Sequence, residues 1–135
     1  MSGKPTILVV DDDRPILALM HNVLGMYGFH ANVAATGEDA LTSARNSRPA
    51  LILVDRNMPG MTGDQLIAAL RAEATLHHVP ILVLSGEPLS AAEVTRLRVD
   101  GAVLKPFDLA ALIAQIRSFV DRPQPSPASE DRAGR

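Results

Sequence analysis

Short runs of Val, Ile and Leu recur along this chain without alternating with polar residues, and this pattern limits the possible folds most. The runs are Ile7 to Val10, Leu51 to Val54, Ile81 to Leu84 and the weaker pair Val103 and Leu104. Uninterrupted apolar strands are typical of a parallel sheet that helices cover on both faces, because both sides of each strand are then buried. The segment from His30 to Ala35 takes the second strand position, and its weaker apolar signal predicts an edge strand.

The segments between these runs carry the signals of helices. The first segment has one apolar face and ends at Gly28, a typical helix terminator; the face comprises Ile16, Leu19, Met20, Val23, Leu24 and Tyr27. Capping boxes predict the starts of three later helices, namely Thr36 with Asp39, Thr62 with Gln65, and Ser90 with Glu93. Asp108 is the candidate cap of a last helix, whose apolar stripe comprises Leu109, Leu112, Ile113, Ile116 and Val120. The chain therefore predicts five consecutive strand–helix units.

These units predict one folded domain over residues 5–121. A chain of 135 residues, 47% of them hydrophobic, is long enough to bury a core without disulfides or metal. From residue 122 the sequence reads RPQPSPASEDRAGR, which offers little apolar surface to bury. Residues 122–135 are therefore predicted to form a disordered tail or linker.

Composition excludes several classes of function. The chain has no cysteine, so disulfide frameworks, Cys-ligated metals and thiol nucleophiles are ruled out. A net charge of -2, no Trp, one Tyr and three Phe argue against direct nucleic-acid binding, which favours a basic face and stacking rings. The sequence shows neither a signal peptide nor the roughly 18 apolar residues of a membrane span. We therefore expect a cytoplasmic protein without a membrane segment.

Four predicted strands are followed by residues of reactive type. They are Asp11, Asp12 and Asp13 after the first strand, Asp55 after the third, Ser85 after the fourth and Lys105 after the fifth. Each has an ordinary structural explanation when taken alone, such as helix capping for the aspartates or a solvent-exposed lysine. In an open α/β sheet, however, the carboxyl ends of the strands converge and ligands bind there. The joint occurrence therefore predicts one shared site.

The predicted site needs a cation. Two carboxylates about 4 Å apart repel by about 4 kcal/mol at an effective dielectric constant of 20, so three converging carboxylates are unstable alone. Mg²⁺ suits a shallow acidic site, because it keeps several waters and takes one or two carboxylates with a phosphoryl oxygen. Lys105 and Ser85 then remain for an anion, and Asp55 is free to act as a nucleophile. This equipment is suited to a transferring phosphoryl group.

Four stretches of sequence, ILVVDDD, LILVDRNMPGMTG, PILVLSGEP and VLKPF, occur in this order. Together they resemble the receiver domain of bacterial two-component response regulators of the chemotaxis-Y type, over about residues 6 to 121. The resemblance implies a flavodoxin-like α/β fold, in which helices cover both faces of a five-stranded, doubly wound parallel sheet of order 2-1-3-4-5. It also implies a signalling switch, which catalyses only its own phosphorylation and dephosphorylation.

The resemblance assigns roles to individual residues. It implies that Asp55 accepts a phosphoryl group from a histidine of a sensor kinase or phosphotransfer protein. It implies that Mg²⁺ is held by Asp11, Asp12, Asp55 and the backbone carbonyl of Asn57. Ser85 matches the switch hydroxyl and Lys105 the phosphate-pairing lysine, which precedes a cis peptide bond to Pro106 in the family. Asn57 and Glu87 match positions that tune dephosphorylation, and Asp13 supports the helix start.

Two departures from the family pattern concern the output of the switch. The position three residues before Lys105 carries a switch aromatic in the family, and here it is Ala102. The stretch from Ser85 to Lys105 is about two residues shorter than usual, so the fourth helix is predicted to be short. We therefore expect any response to phosphorylation to involve the loop from Gly86 to Leu89 and this short helix.

Three alternatives remain at the level of sequence. A haloacid-dehalogenase-like phosphatase would use Asp11 and Asp13, but it needs a further acidic pair and leaves Asp55 without a role. A flavodoxin-like cofactor binder would place a phosphate loop after the first strand, where three aspartates repel phosphate. The chain is also compatible with the receiver part of a longer regulator, with an output domain after residue 121.

Overall fold

The computed structural model of this protein describes residues 4–120, so the predicted tail at 122–135 lies outside the described residues. The described strands are β1 (Thr6–Val10), β2 (His30–Ala34), β3 (Leu51–Asp55), β4 (Ile81–Ser85) and β5 (Gly101–Leu104). The described helices are α1 (Arg14–Met26), α2 (Gly37–Ser47), α3 (Gly63–Ala72), α4 (Ala91–Leu97) and α5 (Leu109–Val120). All strand pairs are parallel, and the order is β2-β1-β3-β4-β5. The predicted fold class and the predicted edge position of β2 are confirmed.

The apolar strand runs serve two cores, one on each face of the sheet. Alternate residues of β1, such as Leu8 and Val10, pack beneath α2, α3 and α4. Their neighbours Ile7 and Val9 pack beneath α1 and α5 on the opposite face. All four side chains have no exposed surface. Burial on both faces explains why the strands carry no polar alternation.

The predicted apolar face of α1 is wrong in part. Leu17, Met20 and Leu24 form the buried face, whereas Leu19 is 44% exposed and Tyr27 is 45% exposed. Leu19 lies two residues after Leu17, which is about 200° around a helix, so the two side chains point in nearly opposite directions. Tyr27 lies at the C-cap, where the helical periodicity has ended.

Hydrogen bonds confirm the predicted helix starts. Thr62 with Gln65 and Ser90 with Glu93 form reciprocal capping boxes, while Thr36 accepts only from the Asp39 N–H. The Asp108 carboxylate accepts from the Ala111 N–H at 3.0 Å and caps α5. Gly28 has φ 92, the left-handed conformation that glycine adopts readily after a helix end.

The fourth helix has seven residues and is short, as predicted. In the last helix Leu112, Ile113 and Ile116 are fully buried and Leu109 and Val120 partly so. Among residues 4–120, no helix has the length and apolar character needed to cross a bilayer.

Arg71 joins α3 to the loop before β4 and the loop before β5. Its guanidinium donates to the carbonyl oxygens of Arg98, His77 and Val79 at 2.7–2.8 Å. It also pairs with Asp100 at 3.1 Å, and only 8% of its side chain is exposed. Burial lowers the pKa of Arg71, with Asp100 acting against this shift. The attachment of α3 to these loops therefore depends on several hydrogen bonds from the Arg71 guanidinium.

We expect Arg71→Met to lower the free energy of unfolding by about 3 kcal/mol, because three carbonyls lose the Arg71 donor and the Asp100 carboxylate keeps only the Ile81 N–H. Arg45→Met is the matched control, since the Arg45–Glu73 pair is exposed to solvent and its loss should change the free energy of unfolding far less. Urea denaturation followed by circular dichroism measures both changes. Equal losses in the two variants would contradict the stabilising role of Arg71.

Candidate active site

Parallel pairing brings the ends of β1 and β3 side by side. Val10 lies opposite Val54, so the residues that follow, Asp11 and Asp55, are neighbours at the same sheet edge. Carboxylate oxygens of Asp11, Asp12 and Asp55 lie within 4.8 Å of one another. Asp11 is 1% exposed and Asp55 4% exposed, whereas Asp12 is open to solvent. The three predicted acidic residues therefore form one cluster.

Lys105 brings a positive charge to this cluster. Its Nζ lies 3.2 Å from Asp55 Oδ1 and 3.5 Å from Asp11 Oδ2. The position follows from the sheet, because the Lys105 N–H donates to the Ser85 carbonyl at 2.8 Å in continuation of β4–β5 pairing. Burial alone would lower the pKa of Lys105, but the hydrogen bond to Asp55 and the charges of Asp11 and Asp55 outweigh it and raise this pKa. Lys105 is thus held as a cation.

The donor set fits a divalent cation. One ammonium faces three carboxylates, so negative charge exceeds positive charge at the site. Within residues 4–120, the buried Asp11 Oδ2 has no hydrogen-bond partner. Burial raises the pKa of the Asp11 carboxyl; the charge of Asp55 adds to the shift, and the Asp13 N–H and Lys105 act against it. Hard carboxylate oxygens of this kind are the ligands that Mg²⁺ prefers.

The raised pKa of Asp11 predicts that its ionised form destabilises the metal-free protein. We expect Asp11→Asn to raise Tm at pH 7, because the amide removes a buried negative charge while its oxygen still accepts from the Asp13 N–H. This gain should shrink as the pH falls through the raised pKa of Asp11 in the folded protein, and it should be absent well below the ordinary value of 3.8, where both states are protonated. Differential scanning calorimetry in a chelator measures the effect.

The same variant also tests cation binding. Addition of Mg²⁺ should raise Tm of the wild-type protein by mass action and should have little effect on Asp11→Asn. Asp13→Asn is the control, because Asn also serves as a helix cap and Asp13 lies outside the carboxylate cluster. Equal Mg²⁺ responses in Asp11→Asn and the wild type would contradict a metal-binding role for Asp11.

Asp13 is separated from the cluster by its role in α1. Its carboxylate accepts from the Ile16 N–H at 3.3 Å and caps the helix, as predicted. The Asp13 N–H donates to Asp11 Oδ1 at 3.0 Å and fixes the orientation of that carboxylate. This geometry gives no support to the phosphatase alternative, in which Asp13 would act as an acid beside Asp11.

Ser85 lies at the same edge, but its hydroxyl is engaged in the following loop. It donates to the Glu87 carbonyl at 2.7 Å and accepts from the Glu87 N–H at 3.1 Å. Asn57 contacts the site through its backbone, since its N–H donates to Asp55 Oδ1 at 3.3 Å. Ala102 lies on β5 opposite Val83 and lines a small surface cavity of about 230 Å³. Position 102, where the resemblance implies a switch aromatic, therefore carries only a methyl group.

Sequence reasoning missed two charged residues beside the site. Arg56 and Glu93 both line an open cleft of about 670 Å³ together with Asn57, Ser85, Gly86, Glu87 and Pro88. The Arg56 Nη1 lies 3.0 Å from the Glu93 Oε2, so the two side chains form an ion pair. Arg56 follows Asp55 directly, and this adjacency was the available signal. Glu93 lies 37 positions after Arg56 in the sequence, so spacing alone did not reveal the contact.

Comparison with known proteins decides the family. The model of the response regulator receiver domain matches residues 7–117. The chain belongs to this family. It is similar to the transcriptional regulatory protein PrrA of Mycobacterium tuberculosis, with 38% identity over 121 residues, which cover 88% of this chain and 51% of that protein. The chain thus spans about half the length of such curated relatives.

Solved structures of receivers share the fold. The chemotaxis protein CheY4 of Vibrio cholerae has a TM-score of 0.81 at 30% identity, and the match covers 87% of this chain and 99% of that chain. The response regulator protein TrrA of Thermotoga maritima, solved in complex with Mg²⁺ and BeF, has a TM-score of 0.75 at 25% identity and covers 85% and 98%. The receiver is thus a domain of a two-component signalling system, and the haloacid-dehalogenase alternative is not supported.

Proposed function

We propose that Asp55 is the phosphoryl acceptor of this receiver and that Lys105 pairs with the phosphoryl group. The observation that carries the proposal is the convergence of Asp11, Asp12 and Asp55 within 4.8 Å, with Lys105 Nζ 3.2 Å from Asp55. Asp55 ends β3, whereas Asp11 and Asp12 follow β1. Asp55 also contacts the Lys105 ammonium directly. It is therefore placed to act as a nucleophile while the other carboxylates serve a cation.

Mg²⁺ is the proposed cofactor. The residues that would hold it are Asp11, Asp12, Asp55 and the backbone carbonyl of Asn57. When bound, Mg²⁺ would offset the charge that accumulates on the transferring phosphoryl oxygens. The similarity to TrrA, which was solved with Mg²⁺ and BeF, supports this assignment.

The reaction requires little from the protein beyond position and charge. A carboxylate oxygen of Asp55 forms a bond to phosphorus while the bond from phosphorus to the donor histidine nitrogen breaks, and the histidine leaves with that electron pair. Lys105 then neutralises a phosphoryl oxygen. We propose that Ser85 leaves its contacts with Glu87 to donate to another phosphoryl oxygen, and that Asn57 and Glu87 tune the later attack of water. Ala102 provides no aromatic ring for the response.

The proposed partners follow from this reaction. A phosphohistidine donor implies a sensor histidine kinase or a phosphotransfer protein, and such a relay operates in the cytoplasm. We propose that residues 5–121 form the receiver. Since the chain spans half of PrrA, a transcriptional regulatory protein, the receiver is proposed to act on an output domain after residue 121 or on a separate partner.

The direct test is incubation with phosphoramidate, a small phospho-donor whose P–N bond resembles that of phosphohistidine. Intact mass spectrometry should show one added phosphoryl group with Mg²⁺ and none in a chelator. Addition that is independent of Mg²⁺ would contradict the proposed cofactor. Absence of addition under both conditions would contradict the proposed acceptor chemistry.

A further inference from the structure

Arg56 contacts the first turns of two helices from a position directly after Asp55. Its Nε lies 3.0 Å from Asp64 Oδ1 and its Nη2 3.2 Å from Asp64 Oδ2, a bidentate pair with the start of α3. Its Nη1 lies 3.0 Å from Glu93 Oε2 on α4. One guanidinium beside the end of β3 therefore joins α3 and α4.

Glu93 has a second function in α4. Its Oε1 accepts from the Ser90 N–H at 3.0 Å and closes the capping box of this helix. The other oxygen, Oε2, is the one that binds Arg56. A helix of seven residues is marginal on its own, so its position depends on anchors of this kind. The Arg56 contact thus fixes the end of α4 that is nearer to the site.

The ion pair also bridges the cleft of about 670 Å³ beside the site. We define one wall as Arg56 and Asn57, which follow β3 directly, and the other as Glu87 in the loop after β4 with Glu93 on α4. The Arg56 side chain is only 23% exposed and the Glu93 side chain 34% exposed, so the contact is partly shielded from water. Loss of the pair would let the two walls separate.

We propose that Arg56 is a positioning residue that, through Glu93, holds the walls of this cleft together and limits the access of water to a phosphoryl group on Asp55. The proposal rests on the proposed phosphorylation of Asp55. In the hydrolysis, a water oxygen forms a bond to phosphorus and the bond from phosphorus to the Asp55 oxygen breaks. Asp55 leaves as a carboxylate, and the water protons pass to inorganic phosphate and solvent.

The test compares Arg56→Gln and Glu93→Gln after loading with phosphoramidate and Mg²⁺ and removal of the donor. Gln at position 93 keeps an acceptor for the Ser90 N–H, so the capping box survives while the ion pair is lost. We expect loss of the phosphoryl group to accelerate about three- to tenfold in both variants, with the extent of loading unchanged. Arg45→Gln is the matched control, because it breaks a bidentate pair with Glu73 and neither residue lines the cleft. Its decay should equal that of the wild type.

A double variant and a second readout separate positioning from general damage. If the pair itself limits water access, Arg56→Gln combined with Glu93→Gln should decay no faster than either single variant. Multiplied effects would overturn the proposal. Amide exchange of residues 93–97 in the unphosphorylated protein should accelerate in both single variants and not in Arg45→Gln. Unchanged exchange would overturn the anchoring of α4.

The two proposals fail in different ways. Normal loading of the wild type with unchanged decay in the variants would overturn the role of Arg56 alone. A wild-type protein that accepts no phosphoryl group would overturn the proposed function and the limit on water access with it. Arg56→Lys provides a further check, because it retains the charge and should restore part of the wild-type lifetime.

Discussion

Asp55→Asn is expected to abolish phosphoryl acceptance. The side-chain amide of Asn matches the shape of the carboxylate, and its oxygen still accepts from the Asn57 N–H. The amide cannot act as the carboxylate nucleophile. Removal of an essential nucleophile lowers such rates by about 10⁴-fold or more, so no adduct should form within hours. Intact mass spectrometry after incubation with phosphoramidate and Mg²⁺ measures the result.

Asp13→Asn is the control for this experiment. It makes the same chemical change two residues after Asp11, at a position where Asn also caps a helix and which lies outside the carboxylate cluster. Its loading should match that of the wild type. An adduct on Asp55→Asn at the wild-type level would assign the nucleophile to another carboxylate, and peptide mapping would identify it.

The fold was predictable because its main determinants are local in sequence. Apolar runs buried on both faces predict parallel strands, and Ser90 with Glu93 predicts a helix start whatever the rest of the chain does. The prediction for α1 was wrong at Leu19, because every apolar residue near a helical spacing was assigned to one face. The packing selects a narrower stripe around Leu17 and leaves Leu19 exposed.

The site was predictable in part for a different reason. Strand ends of a parallel sheet must converge, so reactive residues at those ends predict a cluster even without coordinates. Side-chain orientation is not determined in this way. The Ser85 hydroxyl turns toward Glu87, and Arg56 reaches Glu93 on another helix. The Ser85 contact is a local turn in which the hydroxyl bonds the backbone two residues ahead. The Arg56 contact depends on how the loop after β3 packs against α4, and no spacing rule encodes that packing.

The start of α3 lies against the backbone that carries Asp55, and glycine is required there. A Cβ at position 63 would meet the Asp55 carbonyl oxygen and would come within 2.6 Å of the Arg56 Cα. The obstruction is backbone rather than a flexible side chain, so it cannot move without displacing β3 or α3. The Gly63 N–H also donates to the Arg56 carbonyl at 3.1 Å, which fixes this close approach.

Gly63→Ala is therefore expected to lower the free energy of unfolding by about 3 kcal/mol, at the upper end of the range for overpacking. It should also slow phosphoryl acceptance, because relief of the clash displaces Asp55 relative to Lys105 and such displacements carry large kinetic penalties. Gly25→Ala is the matched control, since a Cβ in that part of α1 meets no atom within 4 Å. That change should be neutral or stabilise the helix by up to about 1 kcal/mol. Urea denaturation and the rate of phosphoramidate loading measure the two effects, and equal behaviour of the two variants would show that α3 yields at its first residue without disturbing the acceptor.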